Sequence, residues 1–163
     1  MTNRYCSIKG RIERQPSPKE ELSVYQLEVA VRFNDCDALG HVNNAVYFTY
    51  FEECRKELFR VFNPELDTHN WNLIVASTKC DFLSEAVYAQ KLTVYAWVGK
   101  LGSSSFEVEH AMADEQGNWV ARGRATLLGY DFNDKKAVKM SEEIRSILLE
   151  HSTCPDGVPD MRS

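Results

Sequence analysis

At 163 residues the chain is long enough for one domain with a packed core, and 44% hydrophobic with 26% charged residues is ordinary globular composition. A net charge of −5 lacks the basic footprint of a nucleic-acid binder, so no nucleic-acid partner is expected. No apolar run is long enough for a membrane span, and Met1 to Ser23 has no apolar signal core; a cytoplasmic protein with no membrane association is expected.

Residues 1–23 read as an N-terminal extension, because Arg11 to Lys19 has turn chemistry and no period. The domain is expected over residues 24–150. From Tyr25 to Phe33, apolar Tyr25, Leu27, Val29, Val31 and Phe33 alternate with Gln26, Glu28, Ala30 and Arg32, a half-buried strand. A loop, Asn34–Asn43, follows. Tyr47, Tyr50, Phe51, Cys54, Leu58, Val61 and Phe62 then recur at helical spacing, which predicts a helix from Asn44 to Phe62. Glu52, Glu53, Arg55, Lys56, Glu57 and Arg60 are assigned to its solvent face. Asn43 or Asn44 suits the N-cap, and Asn63-Pro64 stops the helix. Strands are predicted at Leu73–Phe82, Lys91–Val98, Phe106–Met112 and Trp119–Phe132, with a turn at Gly102–Ser105 between the second and third of these. Ser141 caps a short helix ending near Glu150, and residues 151–163 read as an irregular tail.

A strand, one long apolar helix and four more strands predict an α+β fold, an antiparallel sheet wrapped around one central helix. The five cysteines, Cys6, Cys36, Cys54, Cys80 and Cys154, show no C-x-x-C pair, so reduced thiols are expected rather than disulfides or zinc. His69, His110 and His151 fit no metal-ligand spacing, and no metal is expected. His110 lies on the apolar face of its strand and is read as an interior or interface residue.

The chemistry concentrates in Asp35-Cys36-Asp37-Ala38-Leu39-Gly40-His41-Val42-Asn43-Asn44-Ala45-Val46-Tyr47. Here a carboxylate precedes a helix N-terminus, which carries unpaired N–H groups and partial positive charge. That pairing can hydrolyse an activated carbonyl: the N–H groups hold the developing oxyanion while the carboxylate attacks or activates water.

This segment, with its flanking strand and helix, resembles the hot-dog-fold acyl-CoA thioesterases, most closely the 4-hydroxybenzoyl-CoA thioesterase-like branch. The resemblance runs from about Val24 to Ile147. It implies thioester hydrolysis with no cofactor beyond the coenzyme A of the substrate. It also implies a homodimer or tetramer with active sites at the subunit interface. It places the catalytic carboxylate at Asp37 and the carbonyl-polarising amide at Asn44. His41 is either a second catalytic group or a loop residue that fixes Asp37. Asp35 is expected to be structural.

Asn43, Tyr47 and the Ser103, Ser104 and Ser105 turn are candidate substrate contacts. Relatives with a basic run after the third strand use it for coenzyme A phosphates. This chain has only Lys100 there, so backbone groups, the serines, Arg122, Arg124, Lys135 or Lys136 must serve. Acyl-carrier-protein thioesters therefore remain an alternative substrate, and a silent acyl-ligand-binding domain an alternative function. The Gly40-His41-Val42-Asn43 run lacks the pattern of hot-dog dehydratases.

Overall fold

A computed structural model describes residues 23–163; the expected N-terminal extension lies, up to residue 22, outside the described residues. Strands β1 (Tyr25–Ala30), β2 (Leu73–Phe82), β3 (Lys91–Leu101), β4 (Ser105–Asp114) and β5 (Trp119–Asp131) form an antiparallel sheet in the order β1-β3-β4-β5-β2. A two-residue β6 (Lys136–Ala137) pairs with β5. Helix α1 (Asn44–Phe59) lies on the inner face, and α2 (Glu142–Glu150) follows the sheet.

Alternation in β3 puts Leu92, Val94, Ala96 and Val98 inward, where they join Phe51, Cys54 and Leu58 of α1 in one core. The helix approaches β5 closely at Gly123, where an added Cβ would stand 2.5 Å from Phe51 Cε2. His110 of β4, fully buried, packs against Phe51 with the rings tilted and their centroids 4.8 Å apart. Burial and the positive charges of Arg55 and Arg122 lower its pKa well below the ordinary histidine value, so it is a neutral core residue.

Four expectations are corrected. Helix α1 ends at Phe59 rather than Phe62: Val61 and Phe62 donate to the carbonyls three residues back, the tighter winding common at helix ends. Phe33 leaves the alternation of β1, which stops at Ala30; it sits in a single 3-10 turn and is 80% exposed. Arg55 is buried, because positions 51, 55 and 59 stack four apart along one flank of α1 and carry it inward with Phe51 and Phe59. The strand placed at Lys91–Val98 runs on to Leu101 through a register shift.

Strand β2 is an edge strand, and its side chains reverse faces midway. Leu73 and Val75 pair opposite Gly129 and Leu127, and the register then shifts between Val75 and Ser77. The extra residue, Ala76, is a β-bulge. Without it Asp81 would share the inward face of Leu73. With it Phe82 points inward and meets the Tyr47 ring edge to face at 5.0 Å. The inner side of β2 is thinly covered: Val75 and Phe82 are 41% and 42% exposed.

The tail after α2 is irregular, as expected, but it is packed on the outer face of the sheet. The Pro159 carbonyl accepts from Arg122 Nε at 3.1 Å, and the Arg162 N–H donates to Asp81 at 2.7 Å. Beneath it Arg122 pairs with Glu109 at 2.6 Å and lies over the Trp97 ring at 4.8 Å.

Candidate active site

The loop between β1 and α1 is built on Asp35. Its carboxylate accepts from Arg32 N, Nε and a terminal guanidinium nitrogen at 2.9–3.0 Å, and from the Tyr50 hydroxyl at 2.6 Å. Its carbonyl accepts the Asn43 N–H at 2.9 Å. Hydrogen bonds from Arg32, joined by that of Tyr50, hold the buried carboxyl down at about 2 against the desolvation that would raise it. Asp35 is thus spent on fastening the loop to α1, the structural role expected.

Two residues on, Asp37 has the opposite surroundings. Its N–H donates to the His41 carbonyl at 2.9 Å and its carbonyl accepts from Gly40 at 3.0 Å, closing a tight turn that Gly40 permits with φ +82°. Asp37 is exposed. Oδ1 accepts the Leu39 N–H at 2.8 Å, and Oδ2 has no partner among the described residues. One oxygen orients the carboxylate; the other faces solvent.

The turn leads directly into α1. Asn43 is the N-cap, its Oδ1 accepting from Ala45 N at 2.9 Å. The Asn44 N–H, first in the helix, has no acceptor among the described residues, as expected of an uncapped donor at a helix start. A cavity of about 490 Å³ opens here, lined by Asp37, His41, Asn44 and Tyr47 together with Phe82, Ser84 and Glu85 from the end of β2 and the following loop. Four of the sequence-predicted residues therefore share one cavity, and Asn43 stands behind it as the cap.

His41 pairs with Glu85, Nε2 to Oε2 at 3.2 Å, and bridges by its backbone to Val87. Its imidazole engages Glu85; only its carbonyl serves Asp37. Phe82, Ser84 and Glu85 escaped sequence reasoning. The backbone bridge between His41 and Val87 and the Val42 N–H donated to the Ala86 carbonyl at 2.8 Å bring them beside Asp37, and no local pattern in residues 82–85 signals that.

Ser103, Ser104 and Ser105 do not meet Asp37 within one subunit. Their carbonyls accept from Met140, Gly129 and Gly102, and Ser105 pairs opposite Leu128, which in turn pairs with Ile74 at the start of β2. The Asp37 cavity lies at the other end of that strand. Arg122 and Arg124 are both bound to Glu109 on the outer face, away from the cavity. Lys136 is paired with Asp134 at 2.7 Å. Among the described residues no cluster of His, Cys, Asp and Glu is placed to hold a metal ion, and no helix is long and apolar enough to cross a membrane.

Residues 31–148 match the model of the thioesterase-like superfamily. The uncharacterised protein YsmA of Bacillus subtilis (strain 168) is 30% identical over 122 residues, covering 75% of this chain and 83% of that protein. The long-chain acyl-CoA thioesterase FadM of Escherichia coli (strain K12) is 26% identical over 126 residues, 76% of this chain and 96% of that one. A solved thioesterase of Thermus thermophilus, complexed with coenzyme A and zinc, superposes with a TM-score of 0.69 at 29% identity, over 78% of this chain and 93% of that chain. With its antiparallel sheet curled around one helix, the chain belongs to the thioesterase-like superfamily and has the hot-dog fold.

Proposed function

We propose that this thioesterase-superfamily protein hydrolyses acyl-CoA or aryl-CoA thioesters to the free acid and coenzyme A, with Asp37 carrying the chemistry. The supporting observation is the arrangement of an exposed, oriented carboxylate and an unpaired Asn44 N–H around one cavity. The thioester oxygen would accept from that N–H, where the helix dipole favours the developing negative charge. Asp37 Oδ2 then activates a water as general base or attacks the carbonyl to form an anhydride. In either route the C–S bond breaks, the thiolate takes a proton, and one water is consumed per acid released. His41, tied to Glu85, would set the cavity wall. The relative named a long-chain acyl-CoA thioesterase and the solved thioesterase holding coenzyme A both favour a coenzyme A carrier. The free cysteines among the described residues, Cys36, Cys54, Cys80 and Cys154, suit a reducing, cytoplasmic setting.

The working unit in this reading is a homodimer joined along β2. The free edge of β2 pairs with no further strand among the described residues, and its inner side is open. Arg55, buried on the flank of α1 facing that side, has its Nε without a partner. Antiparallel pairing of two β2 strands sets the Phe82 end of one beside the Leu73 end of the other. The partner's Ser103–Ser105 turn would then approach Asp37 from across the interface.

Steady-state thiol release over a panel of acyl-CoA, aryl-CoA and acyl-carrier-protein thioesters tests the reading. Turnover of coenzyme A thioesters is expected. Hydrolysis confined to carrier-protein thioesters, or none at all, would overturn it.

A further inference from the structure

The apolar side chains that the core leaves out are not scattered. Phe33, Leu39 and Tyr88, 80%, 79% and 59% exposed, are the three most exposed large apolar side chains among the described residues, and Val87, next to Tyr88, is 45% exposed. They come from three loops. Phe33 lies in the 3-10 turn after β1, Leu39 in the Asp37 turn, and Val87 and Tyr88 in the loop between β2 and β3. The loops are laced together. The Phe33 and Tyr88 rings meet edge to face at 5.9 Å, His41 bridges to Val87, and the Val31 N–H donates to the Gln90 carbonyl at 2.9 Å. The patch also borders the Asp37 cavity: Leu39 is two positions from Asp37 and from His41, and Val87 two from Glu85, all three in the cavity wall.

Three properties say what covers it. The first is size. Four side chains at these exposures offer on the order of 500 Å² of mostly apolar surface, a coherent patch but short of the about 800 Å² that each partner of a stable protein pair buries. The second is the backbone. The N–H groups of Leu39, Gly40, Val87, Ala89 and Gln90 all have acceptors within these loops or on Val31, at 2.8–3.2 Å. They therefore give up little water on entering an apolar medium. The third is charge. Arg32 beside the patch is tied to Asp35 at 2.9 Å and Glu85 to His41 at 3.2 Å, and the chain as a whole carries −5. An anionic surface repels such a chain, whereas a zwitterionic one does not.

We infer that Phe33, Leu39, Val87 and Tyr88 dock this end of the protein on a zwitterionic phospholipid bilayer, their side chains entering the boundary between headgroups and acyl chains. Phe33 follows β1 and Tyr88 precedes β3, the two strands farthest from β2 in the sheet, so the patch lies apart from the edge along which two copies would pair. The sequence-based expectation of no membrane association came from the lack of a long apolar run, and a patch gathered from three loops needs none. One consequence rests on the thioesterase reading: docking brings the Asp37 cavity to the surface in which a long acyl chain dissolves and to which its free acid returns.

Co-sedimentation of the full chain with phosphatidylcholine vesicles tests the docking without any turnover. Saturable binding at millimolar lipid is expected, no stronger when part of the lipid is phosphatidylglycerol. Phe33→Ser and Tyr88→Ser change exposed side chains, an unchanged Tm verifies their folding, and each should weaken binding at least fivefold. No binding at millimolar lipid, undiminished binding by both variants, or binding that requires the anionic lipid would overturn the proposal. So would a natural chain that light scattering finds larger than a dimer and that Phe33→Ser makes smaller, because another copy would then cover the patch. A chain that docks but hydrolyses no thioester would remove the thioesterase reading and keep the docking; one that hydrolyses thioesters without docking would do the reverse.

Discussion

Asp35 and Asp37 are two positions apart and identical in chemistry, and their neighbours divide their roles. Asp35 is buried under Arg32 and Tyr50; Asp37 keeps one oxygen open to a cavity. Asp37→Asn should preserve the turn through Oδ1 while removing the charge. A fall in kcat of roughly 10²-fold or more is expected, the scale of losing a general base, with KM changed far less. Thiol-release kinetics on folded protein check this, and near-native turnover would discard Asp37. For Asp35 the expected effect is on stability. Tyr50→Phe removes a buried hydrogen bond to a charged group and should cost about 1.5–3 kcal/mol in urea unfolding. The Asp35 carboxyl, at about 2 against an ordinary 3.8, is depressed by folding. Its stabilisation is therefore complete above about pH 4 and is lost as the pH falls toward 2. Tyr50→Phe should flatten that part of the stability profile. In the sequence the division was legible only through family resemblance, since the bond from Tyr50 spans fifteen positions.

At the scale of elements, periodicity located every strand of the main sheet and the central helix, because each carries an apolar face turned to the core. It failed where two faces or a change of face are involved. Arg55 reads as polar surface because of its charge, yet its flank of α1 is buried. The reversal within β2 arises from one inserted residue, and Ala76 carries no sign of it. Gly123 likewise looks like a weak point in a strand, while the fold needs it for the approach of Phe51. Gly123→Ala should destabilise by about 1–3 kcal/mol, the usual cost of overpacking a core. Chemical denaturation measures it, and a neutral result would mean that α1 can shift away from β5.

For the whole molecule, the sheet is covered unevenly: α1 shelters β1 and β3, whereas the inner side of β2 lies open beside Arg55. A homodimer at micromolar concentration is expected by light scattering, and Val75→Glu, which puts a charge on that open side, should shift it to monomer. A dimer unaffected by Val75→Glu would place the contact elsewhere. Sequence periodicity could not locate this surface, because Val75 shares the alternation of residues that are buried within the subunit.

The superfamily match ends at residue 148, but the chain beyond it still touches the candidate active site indirectly. Arg162 is hydrogen-bonded to Asp81, and its carbonyl accepts from Lys79, one and three residues before Phe82 in the cavity wall. The last residues thus act as a latch on the end of an edge strand, the kind of segment that opens locally while the rest of a fold stays shut. Removing residues 160–163 should leave the global melting transition nearly in place. Amide hydrogen exchange over residues 79–84 should nevertheless speed up, so that breathing of the cavity wall is governed by the end of the chain.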